Sequence, residues 1–156
     1  MSSWLMKSEP IEYSIDHLER DRSSSWFGVR NYQARNYMRD SMRIWDRVFF
    51  YHSSCATPGI MGLAEVVSLP HPDETQFITW DKHYDPKSTR EKPIWICVDV
   101  GFVAKLDTIL SITDIRSIPE LADMKLLQKG SRLSITPVTD TESAVIMRTI
   151  ESRVGL

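Results

Sequence analysis

Residues 94–106 alternate without a break. Ile94, Ile96, Val98, Val100, Phe102, Ala104 and Leu106 fill one set of positions; Trp95, Cys97, Asp99, Gly101, Val103 and Lys105 fill the other. A period of two belongs to a β-strand, so one face of this segment enters a core and the other stays mixed. Gly101 offers a place for the bulge or bend that a barrel corner needs. The fold must therefore be organised around a sheet.

Other segments supply partners. Val48-Phe49-Phe50-Tyr51-His52 is apolar on both faces and reads as a central strand. Trp4-Leu5-Met6-Lys7 reads as a first strand, stopped by Pro10, which cannot donate to a ladder. Gly59 and Gly62 flank the start of a strand over 60–69, and Leu133-Ser134-Ile135-Thr136 forms a short one between Gly130 and Pro137. Helices are signalled at both ends. Ser14 caps a short one through Asp16, Leu18 and Glu19. Asn31 opens a longer one, with Ala34, Met38, Met42 and Trp45 on one face and Tyr37 and Ile44 broadening it. Ser111-Ile112-Thr113-Asp114 opens a third. Thr139-Asp140-Thr141-Glu142 is a capping box for the last, with Ala144, Met147 and Ile150 as its apolar face. Residues 70–93, with Pro70, Pro72, Pro86 and Pro93, form a long excursion with little regular structure, of a length that often carries function. There is no βαβ alternation, so the fold class is α+β.

A chain of 156 residues without repeats or linkers fits one domain over 1–156 with one real core. No apolar stretch reaches the ~18 residues that a membrane span needs. Lys7, Glu9 and Glu12 break up any secretory leader. Cys55 and Cys97 are too far apart for a zinc or CxxC pattern and read as reduced thiols, which places the chain in the cytoplasm. Cys97, within an apolar strand, should pack as a small hydrophobe.

The chemistry-bearing motifs are missing. His17, His52, His71 and His83 form neither HExxH nor a Cys/His ligand set, and no GxSxG, GxxxxGK[ST] or GxGxxG stands in the chain. His17 and His71 read as structural or surface residues; His52 and His83 are placed where they could line a groove. Carboxylates are plentiful, but nothing in the spacing sets two at a catalytic separation. No catalytic residue, metal or cofactor is expected.

Basic and aromatic residues tell more. The net charge of −2 argues against general affinity for nucleic acid, so any such binding must be local. Arg35, Arg39 and Arg43 recur at i, i+4 and i+8, with Arg30 and Arg47 beyond, and would form one basic ridge on a helix. A solvated face with local salt bridges is the plainer alternative. Just before it stand Trp26, Phe27 and Tyr32, with Asn31, Gln33 and Asn36. Aromatic rings give an unstacked base a platform, and amides read base edges. Trp26 and Tyr32 could equally anchor a loop to the core.

Seven blocks stand in order along nearly the whole chain: Trp4-Leu5-Met6-Lys7-Ser8-Glu9-Pro10, Trp26-Phe27-Gly28-Val29-Arg30-Asn31-Tyr32-Gln33-Ala34-Arg35-Asn36, Phe50-Tyr51-His52-Ser53, Gly59-Ile60-Met61-Gly62-Leu63-Ala64-Glu65-Val66, Tyr84-Asp85-Pro86-Lys87-Ser88, Val98-Asp99-Val100 and Gly130-Ser131-Arg132-Leu133-Ser134. In these blocks the chain resembles the EVE domain family. The resemblance implies a PUA-like fold, a mixed β-barrel with peripheral helices, related to the YTH domain. It also implies a pocket for a flipped or single-stranded modified base, with modified cytosines the leading ligands. Carried onto this chain, the base pocket draws on Lys7, Ser8, Trp26, Arg30, Asn31, Gln33, His52 and Ser53. Trp26 is the first candidate for stacking. Asn31 is the first for edge reading, although it could instead cap the helix. Arg35, Arg39, Arg43, Lys87 and Arg132 are the candidate phosphate contacts. The chain departs from the family pattern at Phe27 (commonly acidic), Trp45 (glycine), His83 (tyrosine) and Ser143 (tryptophan). Phe27 and His83 bear on the pocket rim.

The expected function is non-catalytic reading of a modified base, 5-methyl- or 5-hydroxymethylcytosine in DNA first. The alternatives are a modified or structured RNA such as tRNA, a nucleotide- or base-directed hydrolase, and a protein-docking adaptor. The expected partner is nucleic acid, not membrane, with any effector protein acting in trans.

Overall fold

The structure, a computed structural model, describes residues 1–130 and 132–153. Ser131 of the last block, and residues 154–156 of the expected domain, lie outside the described residues. The strands are β1 (Ser3–Ser8), β2 (Ser23–Ser25), β3 (Arg47–His52), β4 (Gly59–Val66), β5 (His71–Pro72), β6 (Ile96–Cys97), β7 (Asp99–Ser111) and β8 (Ile135–Val138). The α-helices are α1 (Ile15–Asp21), α2 (Tyr32–Asn36), α3 (Ile112–Arg116) and α4 (Asp140–Ile150). The main sheet runs β2-β7-β4-β3-β1-β8, and β5 and β6 form a separate ribbon. Among the described residues only the β1–β3 pair is parallel, with Leu5 opposite Phe49; the other ladders are antiparallel. The result is a single α+β domain built on a mixed half-barrel, with β2 and β8 as its open edges.

Alternation along β1 and β3 sends neighbouring side chains into two different cores. Trp4, Met6, Val48 and Phe50 join Ile15 and Leu18 of α1 and Met38 and Met42 on one side. Leu5, Phe49 and Tyr51 join Leu106, Leu110 and Val145, Ile146 and Ile150 of α4 on the other. Each such side chain contributes about 1.5–3 kcal/mol by leaving water. The central position expected for β3 is thus forced by its two apolar faces.

The long alternating segment is split. Residues Ile96–Cys97 belong to the ribbon and Asp99–Ser111 to the main sheet, so the strand starts later and runs further than its pattern predicts. Between them Val98 leaves both ladders, and its carbonyl accepts a hydrogen bond from the Trp26 amide at 2.9 Å. That step reverses the phase. Trp95 and Cys97 are buried, and so are Val98 and Val100.

The helix expected from Asn31 to Trp45 is shorter. Asn31 caps α2, its side-chain oxygen accepting from the Ala34 amide at 3.0 Å. The helix then widens into a π-turn over Tyr37–Ser41 and stops at Met42, which is extended. A spacing of four suits that wider turn, and Ala34, Met38 and Met42 are buried as expected. Ile44 and Trp45 lie beyond it and are exposed. Trp45 has φ +76°, a conformation that favours glycine. Buried Asp46 closes the segment by accepting from the Trp4 indole and the Arg43 amide.

Three smaller corrections follow from packing. β4 ends at Val66, short of residue 69, and Leu69 is exposed. β8 includes Pro137, which an edge strand tolerates. On α4 the buried side is Glu142, Ser143, Val145, Ile146 and Ile150, with Met147 packed against the same core; Met147 and Ile150 follow the expected face, while Ala144 faces solvent. Ser143 fits a polar contact under the helix, its hydroxyl meeting Ser3 and Arg47.

Residues 70–93 are irregular but anchored. Buried Gln76, in the 3-10 turn Glu74–Phe77, donates to the carbonyls of Asp73 and Trp95 at 2.8 and 2.7 Å. It also accepts from the Trp95 amide and the Ser88 hydroxyl.

The two sides of α4 should respond differently to substitution. Ile146→Ala should cost about 2–5 kcal/mol in urea unfolding, whereas Ala144→Glu should change stability by less than about 0.5 kcal/mol.

Candidate functional site

The half-barrel leaves a gap, and a cavity of about 460 Å³ lies in it. Lys7 and Ser8 at the end of β1, with Ser134 just before β8, form one wall; Ser24 and Ser25 of β2 face them. The chain leaving β2 then lines the cavity from Trp26 to Arg30, and the turns carrying Glu12 and His83 complete the rim.

Trp26 is 8% exposed. Its amide is tied to Val98, and its ring meets Phe50 edge to face at 5.5 Å and 77°. Phe27, next to it, is exposed. Gly28 follows with φ +87°, and its amide donates to Asp73 Oδ2 at 2.8 Å.

Arg30 uses all of its N–H donors on the protein. Nη1 bonds Asp73 Oδ2 at 3.0 Å and the Val29 carbonyl, Nη2 bonds the Thr75 hydroxyl, and Nη2 and Nε bond the His83 carbonyl. The guanidinium also lies 5.1 Å from the Trp95 ring centre. So Arg30 braces the wall by fastening the 26–30 strip to the 73–83 segment. Asp73, 2% exposed, is the anchor and also accepts from the Thr75 amide and hydroxyl.

The rim carries charge of both signs. Lys82 pairs with Glu12 at 3.1 Å across the mouth. Asp81 accepts from the His83 amide at 2.8 Å, which, with the ring behind it, holds its carboxyl below the usual carboxylate range. Burial lowers the pKa of Lys7, whose ammonium lies 5.9 Å from the Tyr51 ring centre.

Of the residues expected in the pocket, Lys7, Ser8, Trp26 and Arg30 line the cavity. Asn31, Gln33, His52 and Ser53 lie outside its wall. Asn31 is spent on its cap, and Gln33 donates to the Tyr37 hydroxyl on an exposed face. His52 Nε2 accepts from the Ile15 amide at 3.1 Å and so holds the start of α1, while the Ser53 amide bonds the Ser8 carbonyl. Burial pushes the His52 pKa down, against Asp16, which raises it; Lys105 lowers it further.

The basic ridge is broken up. Arg35 donates to the Ile94 carbonyl at 2.8 Å and lies 4.8 Å from the Tyr32 ring centre. Tyr32 itself stacks on Trp95, their ring centres 5.0 Å apart. Arg39 pairs with Asp40, and Arg43, past the π-turn, bonds the carbonyls of Asp40 and Met42. Lys87 and Arg132 are exposed.

Asp73, Asp81, Glu9, Glu12, Tyr13 and Lys82 were not singled out by the sequence. The proline-marked excursion was the one signal pointing to the 73–83 wall, with His83 placed at a groove.

A family model for the EVE domain matches residues 2–149. Human thymocyte nuclear protein 1 is 39% identical over 160 residues, covering 90% of this chain and 70% of that protein. A hypothetical protein from Leishmania major has a similar structure, with a TM-score of 0.93 and 47% identity over 97% of this chain and 96% of that one. The human THYN1 protein, solved in complex with DNA containing 5-methylcytosine, gives a TM-score of 0.90 and 38% identity over 97% of this chain and 98% of that one.

Asp73→Asn should cost about 3–5 kcal/mol in thermal or urea unfolding, because it removes one partner of a buried ion pair. The lowered pKa of His52 gives a sign for pH. Its neutral form is favoured when folded, so stability is full above the unfolded value of 6.5 and is lost as pH falls through the lower folded value. Unfolding curves between pH 7 and pH 5 should show this decline, and His52→Gln, which keeps an acceptor for Ile15, should flatten it.

Proposed function

The chain belongs to the EVE domain family, and we propose that it is a non-catalytic reader of a modified base in DNA, with modified cytosine taken into the cavity beside Trp26. One observation carries this reading: the gap in the half-barrel is a recess of about 460 Å³ whose wall mixes an aromatic ring with cationic and anionic groups. That size falls within the range of about 300–1,000 Å³ for small-ligand sites. A stacked base cannot reach such a recess, so it must be single-stranded or leave the helix. Trp26 supplies an aromatic surface, and stacking is worth about 1–3 kcal/mol per base.

Glu9 and Glu12 are acceptors for a cytosine amine, and Lys7 is a donor for a base oxygen or ring nitrogen. Carboxylates in the wall disfavour phosphate inside the cavity, which suits a neutral heterocycle there and the backbone outside. Lys87 and Arg132 are the exposed cations to which that backbone is assigned. The methylated DNA held by the human relative supports DNA as the partner. Recognition of this kind needs no bond to be made or broken.

Titration with DNA and RNA oligonucleotides carrying cytosine, 5-methylcytosine or 5-hydroxymethylcytosine, at several salt concentrations, tests the reading. Modified DNA should bind more tightly than plain DNA. Trp26→Ala should remove that difference, and Trp26→Phe should keep part of it. Lys87→Ala and Arg132→Ala should weaken all sequences alike and each lower the salt slope by about one. Equal affinity for modified and plain strands, unmoved by either Trp26 variant, would sink the proposal. Preference for RNA alone would transfer it to RNA.

A further inference from the structure

His83 is held from three sides. Its amide donates to Asp81 Oδ1 at 2.8 Å, its carbonyl accepts from two nitrogens of Arg30, and its Nδ1 lies 3.1 Å from the same Asp81 oxygen. An acceptor-only carboxylate beside Nδ1 selects the Nδ1–H tautomer, which leaves a lone pair on Nε2. Nε2 has no hydrogen-bond partner among the described residues. That corner of the ring lies over Gly28, in the cavity wall, where a β-carbon would stand 2.7 Å from Nε2. The positive φ of Gly28 favours glycine, and a β-carbon there would have to displace the His83 ring. The ring thus lies between Asp81 and Gly28, with one acceptor unused at the edge of the recess.

We propose that His83 Nε2 is a specificity-determining acceptor, which receives a hydrogen bond from a donor on the bound base. This rests on the base-reading function and adds the chemistry that is read. On a modified cytosine the donor is either the exocyclic amine or the hydroxyl of a 5-hydroxymethyl group. A base with a carbonyl in place of the amine sets acceptor against acceptor, an unpaired arrangement that a partly closed site penalises. Asp81 is a positioning residue, acting through the tautomer it selects.

The experiment compares wild type with His83→Phe, which keeps an aromatic ring without the acceptor, and His83→Gln, which keeps an acceptor. Each is titrated with otherwise identical oligonucleotides carrying thymine, 5-methylcytosine or 5-hydroxymethylcytosine. Thymine against 5-methylcytosine tests the amine; 5-hydroxymethylcytosine against 5-methylcytosine tests the hydroxyl. His83→Phe should shrink one of these two ratios by about three- to tenfold, the worth of one net hydrogen bond, and His83→Gln should retain part of it. A loss common to all three ligands, with both ratios unchanged, overturns the role of His83 while leaving the reader intact. Wild type that binds modified and plain cytosine equally ends the reader and this inference together. Nitrogen-15 spectra of the histidine rings in the free protein give a second check. The Nδ1–H form is expected for His83, and the Nε2–H form would overturn the assignment.

Discussion

A buried carboxylate must find donors or be neutralised, and Asp73 finds them from two separate stretches of chain. Gly28 and Arg30 reach it from the strip after β2, and Thr75 from the following turn. Without those partners the desolvation cost of the charge would expel the segment. With them, the strip that carries Trp26 and the excursion that carries His83 become one wall. Arg30 completes the wall by holding the His83 carbonyl while its guanidinium faces Trp95.

The recess exists because the sheet does not close. Edge strands leave backbone groups unpaired and are usually covered. Here the edges β2 and β8 flank a recess, covered in part by the rim turns. Behind it the sheet is packed on both faces, by two clusters that draw on alternate residues of β1 and β3. The wall is thus set on a rigid support, and the contact of Trp26 with Phe50 ties it to β3.

The arginine series shows how a sequence period can mislead. Spacings of four describe a basic ridge only while the segment stays helical and its side chains stay free. The extended Met42 ends the helix before Arg43, and the three side chains are taken up by the protein itself: Arg35 by the Ile94 carbonyl, Arg39 by the Asp40 carboxylate and Arg43 by the Asp40 and Met42 carbonyls. Arg35, whose pKa burial and then Arg39 lower, serves the aromatic pair Tyr32–Trp95 as much as any ligand. The plainer alternative of local pairing describes Arg39 well.

The sequence by itself determined the family, the α+β class, the central place of β3, the caps at Ser14, Ser111 and Thr139, and Trp26 as an inner aromatic. Those are local signals: a period, a capping residue, a run of neighbours. Only the tertiary structure decided that the alternating segment divides at Val98 and that α4 buries Val145 and Ile146 instead of Ala144. It also decided that Asn31 and His52 serve helix starts, and that Asp73, Asp81 and His83 stand at or behind the cavity wall. Each of these depends on which distant group lies within hydrogen-bond or packing distance. Residue 30 meets residue 73, and residue 28 meets residue 83, across segments whose spacing carries no period to reveal it.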